Sequence, residues 1–206
     1  MKDADYLIEK VDESAYDDVA NILTTAFFND PLFLWFLRKD RKKENACQNM
    51  FKTTLEKYYK PSIVYKDKSS NSSSIWVDSK DLLQASDMSL PMKLRFLFHM
   101  VDWCSVSRFN RFLKMLDAQE EHHPTEHHHY LWVIGVRPEA QGQGFGTRML
   151  RHHLNILDQL GVPAYLENSN EINAPLYRRL GFKQINEMKL DENGPYLWGM
   201  WREPNS

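Results

Sequence analysis

The chain has little cysteine, little glycine and almost no excess of either charge: two cysteines, eight glycines and a formal net charge of −2 in 206 residues. Two thiols, Cys47 and Cys104, cannot build a disulfide framework or a four-thiolate metal site, and they form no Cys-x-x-Cys pair. They are expected as buried free thiols. Without a basic excess there is no global field to hold a phosphate polymer by counterion release, so nucleic acid is not an expected partner. Long apolar runs are also missing. The densest segment, Leu90 to Val106, is broken by Lys93, Arg95, His99 and Asp102, and falls short of the roughly 18 apolar residues that a membrane-spanning helix needs. The start, Met1-Lys2-Asp3-Ala4-Asp5, lacks the cationic and apolar regions of a secretory leader. The expectation is a cytoplasmic protein with no membrane partner; composition does not define its oligomeric state.

What is present is core material, 42% hydrophobic and 13% aromatic side chains, in a length that suits one domain over 1–206. Tyr6 to Val11 reads as a strand and Asp12-Glu13-Ser14 as the cap of a helix carrying Val19, Ile22, Leu23 and Ala26. Asn29-Asp30-Pro31 breaks that helix, and Pro31 can open another through Leu37. Residues Arg41 to Lys60 form an amphipathic helix ended by Pro61. Strands Ser62 to Lys66 and Ile75 to Asp78 follow, joined by a polar, mobile loop from Lys68 to Ser74. Two helices are expected between Leu82 and Asp117, then a polar connector from Glu120 to His129; together, 82–129 read as a helical insertion.

Tyr130 to Val136 is a nearly continuous apolar run, as in a strand covered on both faces. Helix Arg148 to Leu160, strand Pro163 to Glu167, helix Ala174 to Leu180 and strands Lys183 to Met188 and Tyr196 to Trp201 complete an α/β pattern without internal repeats.

The few glycines are concentrated where they matter. Gly142, Gly144 and Gly146 lie in Gln141-Gly142-Gln143-Gly144-Phe145-Gly146-Thr147, between the buried strand and a helix. Glycines at this density weaken regular structure, but they suit a tight turn whose backbone N–H groups approach another object. At a helix N-terminus that object is a phosphate. The spacing is not the dinucleotide fingerprint, and no Gly-Lys-Ser/Thr completes a P-loop.

These residues resemble the GNAT superfamily of acetyl-CoA-dependent N-acetyltransferases. The turn is similar to its Gln/Arg-x-x-Gly-x-Gly/Ala element, and Asn173-Ala174-Pro175-Leu176-Tyr177-Arg178-Arg179-Leu180-Gly181-Phe182 to its Asn-x-x-x-Tyr-x-x-x-Gly-Phe helix. The resemblance implies a mixed, mostly antiparallel central sheet flanked by helices on both faces, and acetyl-CoA as cosubstrate. It implies that the main chain of Ile134, Gly135 and Val136 pairs with pantetheine amides and that Gln141 to Thr147 hold the pyrophosphate. Asn173 would bond the pantetheine arm, Tyr177 would sit beside the sulfur, and the two central strands would diverge around the thioester.

Acetyl transfer needs a neutral amine, a polarised carbonyl and a proton for the thiolate. The N–H of Val136 is the chosen carbonyl partner and Tyr177 the acid. Glu167, at a strand end, has three readings: general base, partner of the substrate ammonium, or cap of the following turn. Asp30 and Asp78 are weaker candidates for contacting an amine, and turn or strand-end roles are expected for both. His122, His123, His127, His128 and His129 invite a zinc reading with Glu121 and Glu126, but no His-Glu-x-x-His is present. No metal is expected; a solvated loop able to relay a proton is. Phe27, Phe28, Phe33, Trp35, Phe36 and Trp76 are acceptor walls or core. The expected activity is N-acetylation of a primary amine of a small molecule. The alternatives are a protein or peptide N-acetyltransferase and a non-catalytic acyl-CoA sensor.

Overall fold

The structure, a computed structural model, describes residues 7–58, 62–82 and 88–205. Tyr6, the helix-ending Pro61 and positions 83–87 of the expected helical stretch lie outside the described residues. Strands β1 (Ile8–Val11), β2 (Ile63–Asp67), β3 (Ser72–Asp78), β4 (His129–Val136), β5 (Ala164–Asn168), β6 (Lys183–Lys189) and β7 (Tyr196–Arg202) form one sheet in the order β1-β2-β3-β4-β5-β7-β6. Every neighbouring pair is antiparallel except β4 and β5. The expected mixed, mostly antiparallel sheet is therefore the one observed.

The helices are α1 (Tyr16–Phe27), α2 (Pro31–Phe36), α3 (Lys43–Lys57), α4 (Leu90–Cys104), α5 (Phe109–His122), α6 (Phe145–Leu160) and α7 (Ala174–Arg179). Two apolar cores result, one per sheet face. Val19 and Leu23 of α1, Phe51 of α3, Trp103 of α4 and Phe112 of α5 belong to the first. Met149, Leu150, Leu154 and Leu157 of α6, at helical spacing, pack with Leu131, Leu166 and Tyr177 in the second.

Local chemistry explains the breaks. Asp30 accepts hydrogen bonds from the Leu32 and Phe33 N–H groups (2.9 and 3.3 Å), so Asn29-Asp30-Pro31 ends α1 and caps α2 at once. The carbonyls at the other end of α2 are taken by Arg108, which donates to the oxygens of Leu34, Trp35 and Leu37, and by Arg111, which donates to that of Trp35. These bonds tie the start of α5 to α2. Gly161, at φ +65°, closes α6.

Two expectations are corrected. The serine-rich stretch is not a mobile loop from Lys68 to Ser74: Ser72, Ser73 and Ser74 are fully buried in β3 and pair with Val136, Gly135 and Ile134. The Ser72 and Ser73 hydroxyls fit there because they find partners, Asp67 and the Tyr65 carbonyl, while the Ser74 hydroxyl is buried without a hydrogen-bond partner. Helix α5 also continues to His122, through residues expected in a connector, because Ala118-Gln119-Glu120-Glu121 are helix-compatible and His122 Nδ1 bonds the Ala118 carbonyl (3.0 Å).

Helix α1 lies directly on β4 at Gly135, where an added Cβ would stand 2.9 Å from both Ala26 Cβ and Leu23 Cδ2. Gly135→Ala is expected to destabilise by about 1–3 kcal/mol through overpacking, lowering the denaturant midpoint without changing the slope. An unchanged midpoint would mean that α1 moves away at no cost.

Candidate active site

Strands β4 and β5 run side by side only at His129–Ala164, Tyr130–Tyr165 and Leu131–Leu166; beyond Leu131 no pairing joins them. A parallel pair that parts midway leaves one edge of β4 unpaired. Arg137 donates its N–H to the Asn71 carbonyl on the β3 side (2.8 Å). Strand alternation then turns the amides of Val136 and Ile134 into the gap and that of Gly135 toward Ser73. Gly135 is thus corrected as a main-chain ligand: its backbone faces β3, and it is glycine because α1 touches it.

The glycine turn adjoins the open end of the gap. Gly142 and Gly144 have φ of +76° and +83°, and Gly144 is the N-cap of α6. A Cβ on Gly142 would meet nothing within 4 Å, so the turn surface is open. The N–H groups of Phe145, Gly146 and Thr147 begin α6, which starts three residues before the expected Arg148 because the turn itself supplies the first coil. Arg148 donates to the Gln143 carbonyl (3.0 Å) and lies over the Phe145 ring, adding a cation beside these donors. Gln141 donates to the Val136 carbonyl (3.2 Å), tying the turn to β4. This arrangement of donors and positive charge fits a diphosphate.

Deeper in the fold is a cavity of about 960 Å³, lined on one side by Ile134, Asn173 and Tyr177, and at its floor by Tyr130, Glu167 and Asn168. Val136 is not among its lining residues; Ile134 is the deeper of the two gap-facing amides. Burial, reinforced by the charge of Asp30, raises the Tyr177 phenol above its ordinary value, so it stays protonated at neutral pH. The Glu167 side chain is 3% exposed. Its Oε2 accepts from the Tyr130 hydroxyl (2.7 Å) and Gln119 Nε2 (2.6 Å), while Oε1 is buried without a hydrogen bond. The strand end does not use it as a cap: Asn168 Oδ1 accepts from the Asn170 N–H instead.

The histidines are not a solvated loop. His128 is fully buried, and burial lowers its pKa to about 4. Its Nδ1 bonds the Glu126 carbonyl (2.7 Å) and its Nε2 meets His123 Nε2 (3.1 Å). Since a carbonyl only accepts, Nδ1 of His128 carries the proton, and neutral His128 then accepts at Nε2 from His123. The other ring nitrogen of His123, Nδ1, stands 3.8 Å from Glu167 Oε1. His127 bonds Asp78 (3.0 Å), and His129 Nδ1 meets His153 Nε2 (3.0 Å). Among the described residues no three His, Cys, Asp or Glu side chains converge as a metal site.

Asp30 and Asp78 cap α2 and the turn at Ser79–Asp81, as expected. Phe27, Phe33 and Phe36 line the cavity; Phe28, Trp35 and Trp76 do not. Cys47 and Cys104 are buried, and burial pushes their thiols up to about 12 and about 11, so neither is a nucleophile. Gln119 was missed, and of the histidines expected to relay a proton, His123 is the one standing 3.8 Å from Glu167. Gln119 lies 48 residues before Glu167 with no local signal, whereas the polar tip of Tyr130 at the head of an apolar strand was a readable one.

A splayed strand pair with a turn of free N–H donors at one end and buried ionisable groups at the other is an arrangement that acyl transfer can use. The acetyltransferase (GNAT) family model matches residues 103–182. An uncharacterized N-acetyltransferase of Schizosaccharomyces pombe is 27% identical over 206 aligned residues, which cover 96% of this chain and 83% of that protein. A Corynebacterium glutamicum structure described as histone acetyltransferase HPA2 and related acetyltransferase superimposes with a TM-score of 0.71 at 21% identity, over 97% of this chain and 96% of that one. Arylalkylamine N-acetyltransferase 2 of Aedes aegypti does so with a TM-score of 0.65 at 14% identity, over 96% and 98%. Residues 103–182 are thus similar to the acetyltransferase (GNAT) family, the whole length to an N-acetyltransferase relative, and the fold to that of solved acetyltransferases. Among the described residues no helix is long and apolar enough to cross a membrane.

Proposed function

We propose that the protein transfers acetyl from acetyl-CoA directly to a primary amine of a small molecule. The observation that carries this reading is the gap between β4 and β5, with the glycine turn at its mouth and Glu167 at its floor.

Acetyl-CoA supplies the activated acyl group and the leaving thiolate. The turn from Gln141 to Thr147 holds the pyrophosphate through backbone N–H groups. Ile134 and Val136 bond the pantetheine arm, with Asn173 on its other side. Because the cavity reaches Ile134 and not Val136, the Ile134 N–H replaces Val136 as the donor to the thioester carbonyl. Glu167 Oε1 accepts a proton from the substrate ammonium. Nδ1 of His123 takes it onward through a bridging water, since 3.8 Å is too long for a direct bond. Tyr177 gives a proton to the sulfur, and the second proton leaving the nitrogen restores the balance.

Incubating the full chain with acetyl-CoA and an amine panel while following free thiol and product mass tests the reading; acceptor-dependent thiol release is expected, and release no faster than hydrolysis refutes it. Tyr177→Phe is expected to lower kcat by about tenfold or more with little change in the KM for acetyl-CoA, because the phenol acts on the departing sulfur. Full turnover across pH would remove Tyr177 as the acid.

A further inference from the structure

The cavity extends well past the gap, and its far walls differ in chemistry from its floor. Phe33 and Phe36 of α2, Met100 and Trp103 of α4, and Phe112 and Met115 of α5 enclose it with apolar surface. Three carboxylates line it, but Asp117 and Glu120 are exposed, whereas the Glu167 side chain is only 3% exposed. Glu167 is also only half satisfied: two donors hold Oε2 in place, and Oε1 is left bare.

Resting on the acetyltransferase reading above, we propose that the acceptor is a monoamine with a bulky apolar or aromatic body: one ammonium at Glu167 Oε1 and the remainder between α2, α4 and α5. A buried oxygen without a donor carries a desolvation cost that a single N–H from the ligand removes. A second ammonium among the α2 and α4 side chains would meet aromatic rings and thioethers, the other two lining carboxylates, Asp117 and Glu120, being exposed, and burying an unpaired charge there is strongly unfavourable. Aromatic walls pair with an aromatic body in edge or offset geometry, and the methionines adapt to its outline. The volume, about 960 Å³, is at the large end of small-molecule sites and accommodates a cofactor arm together with such a body. The walls come from α2, α4 and α5, joined by the Arg108 and Arg111 bonds to α2 carbonyls, so this shape exists before a ligand binds.

The test uses the wild-type full chain, saturating acetyl-CoA and a series of amines: ethylamine, butylamine, hexylamine, 2-phenylethylamine, 1,4-diaminobutane and spermidine. kcat/KM is expected to rise by about fourfold per added methylene, to be roughly 10- to 100-fold higher for 2-phenylethylamine than for ethylamine, and to be at least about tenfold lower for 1,4-diaminobutane than for butylamine. A flat series, or a preference for the diamine or spermidine, overturns the monoamine assignment while leaving the acetyltransferase reading intact. A parallel arm replaces acetyl-CoA by hexanoyl-CoA at fixed 2-phenylethylamine. Faster transfer of the longer acyl group would give the apolar space to the acyl chain and overturn the proposal. Thermal stabilisation by acetyl-CoA with no thiol release for any amine would overturn both readings together.

Discussion

Glu167→Gln is expected to lower kcat/KM for amine acetylation near neutral pH by about 100- to 1,000-fold, with acetyl-CoA binding unchanged. The substitution keeps the size and the oxygen that accepts from Tyr130 and Gln119, so the local packing has no reason to move. What disappears is the negative charge and the capacity of Oε1 to hold a proton. Stability provides the control. A buried carboxylate with one bare oxygen is a poor structural element, and its neutral isostere is expected to leave the thermal midpoint unchanged or raised. Loss of activity together with unimpaired stability identifies a functional group; retention of activity within about fivefold would remove Glu167 from the chemistry. His123→Gln is expected to act on the pH profile and not on acetyl-CoA affinity, since only the onward proton acceptor is lost.

Acidification from pH 7.5 to pH 5 is expected to cost about 4 kcal/mol of folding stability, roughly 2 kcal/mol each from His128 and His153. Burial, the largest cause in both, lowers His128 to about 4 and His153 to about 3. His153 has Tyr65 on Nδ1 (3.2 Å) and His129 on Nε2 (3.0 Å), neither of them an anion, so nothing it bonds compensates a charge on the buried ring. The unfolded chain protonates these rings near pH 6.5 and the folded chain does not until pH 4 or below. The unfolded state therefore binds more protons in this window, and stability rises with pH. The stabilising contribution is complete above about pH 6.5 and is lost as pH falls toward the folded values. His129, also lowered by burial, adds in the same direction. Asp78, which faces His127 and His129, is lowered and loses its contribution only in stronger acid. For a chain of this size the shift in thermal midpoint is roughly 8–16 °C. A midpoint independent of pH between 7.5 and 5 would contradict the burial of both rings, and His153→Gln is expected to remove about half of the dependence.

Chain-local chemistry determined a good part of this protein. The order of strands and helices, the Asp30-Pro31 break, the Gly161 stop and the Gly142 to Gly146 turn all follow from caps, periodicity and backbone freedom within a few residues. The position of Tyr177 beside the gap was an implication of the family resemblance, and the cavity lining includes it. Tertiary structure alone decided the rest. Gly135 is small for a helix more than a hundred residues earlier in the chain, a requirement invisible in its own neighbourhood. Ser72 and Ser73 of β3 are polar by composition, yet they are buried because Asp67 and the Tyr65 carbonyl satisfy them. The histidine run looked solvated for the same reason, until Tyr165 and Trp201 covered His128. Glu167 had three roles open to it from sequence; the choice came from Tyr130 and Gln119 on one oxygen and a vacant donor position on the other, contacts between segments 37 and 48 residues apart. Periodicity reports which side of an element is apolar, but hydrogen-bond satisfaction of a buried group depends on partners that only folding brings within 3 Å.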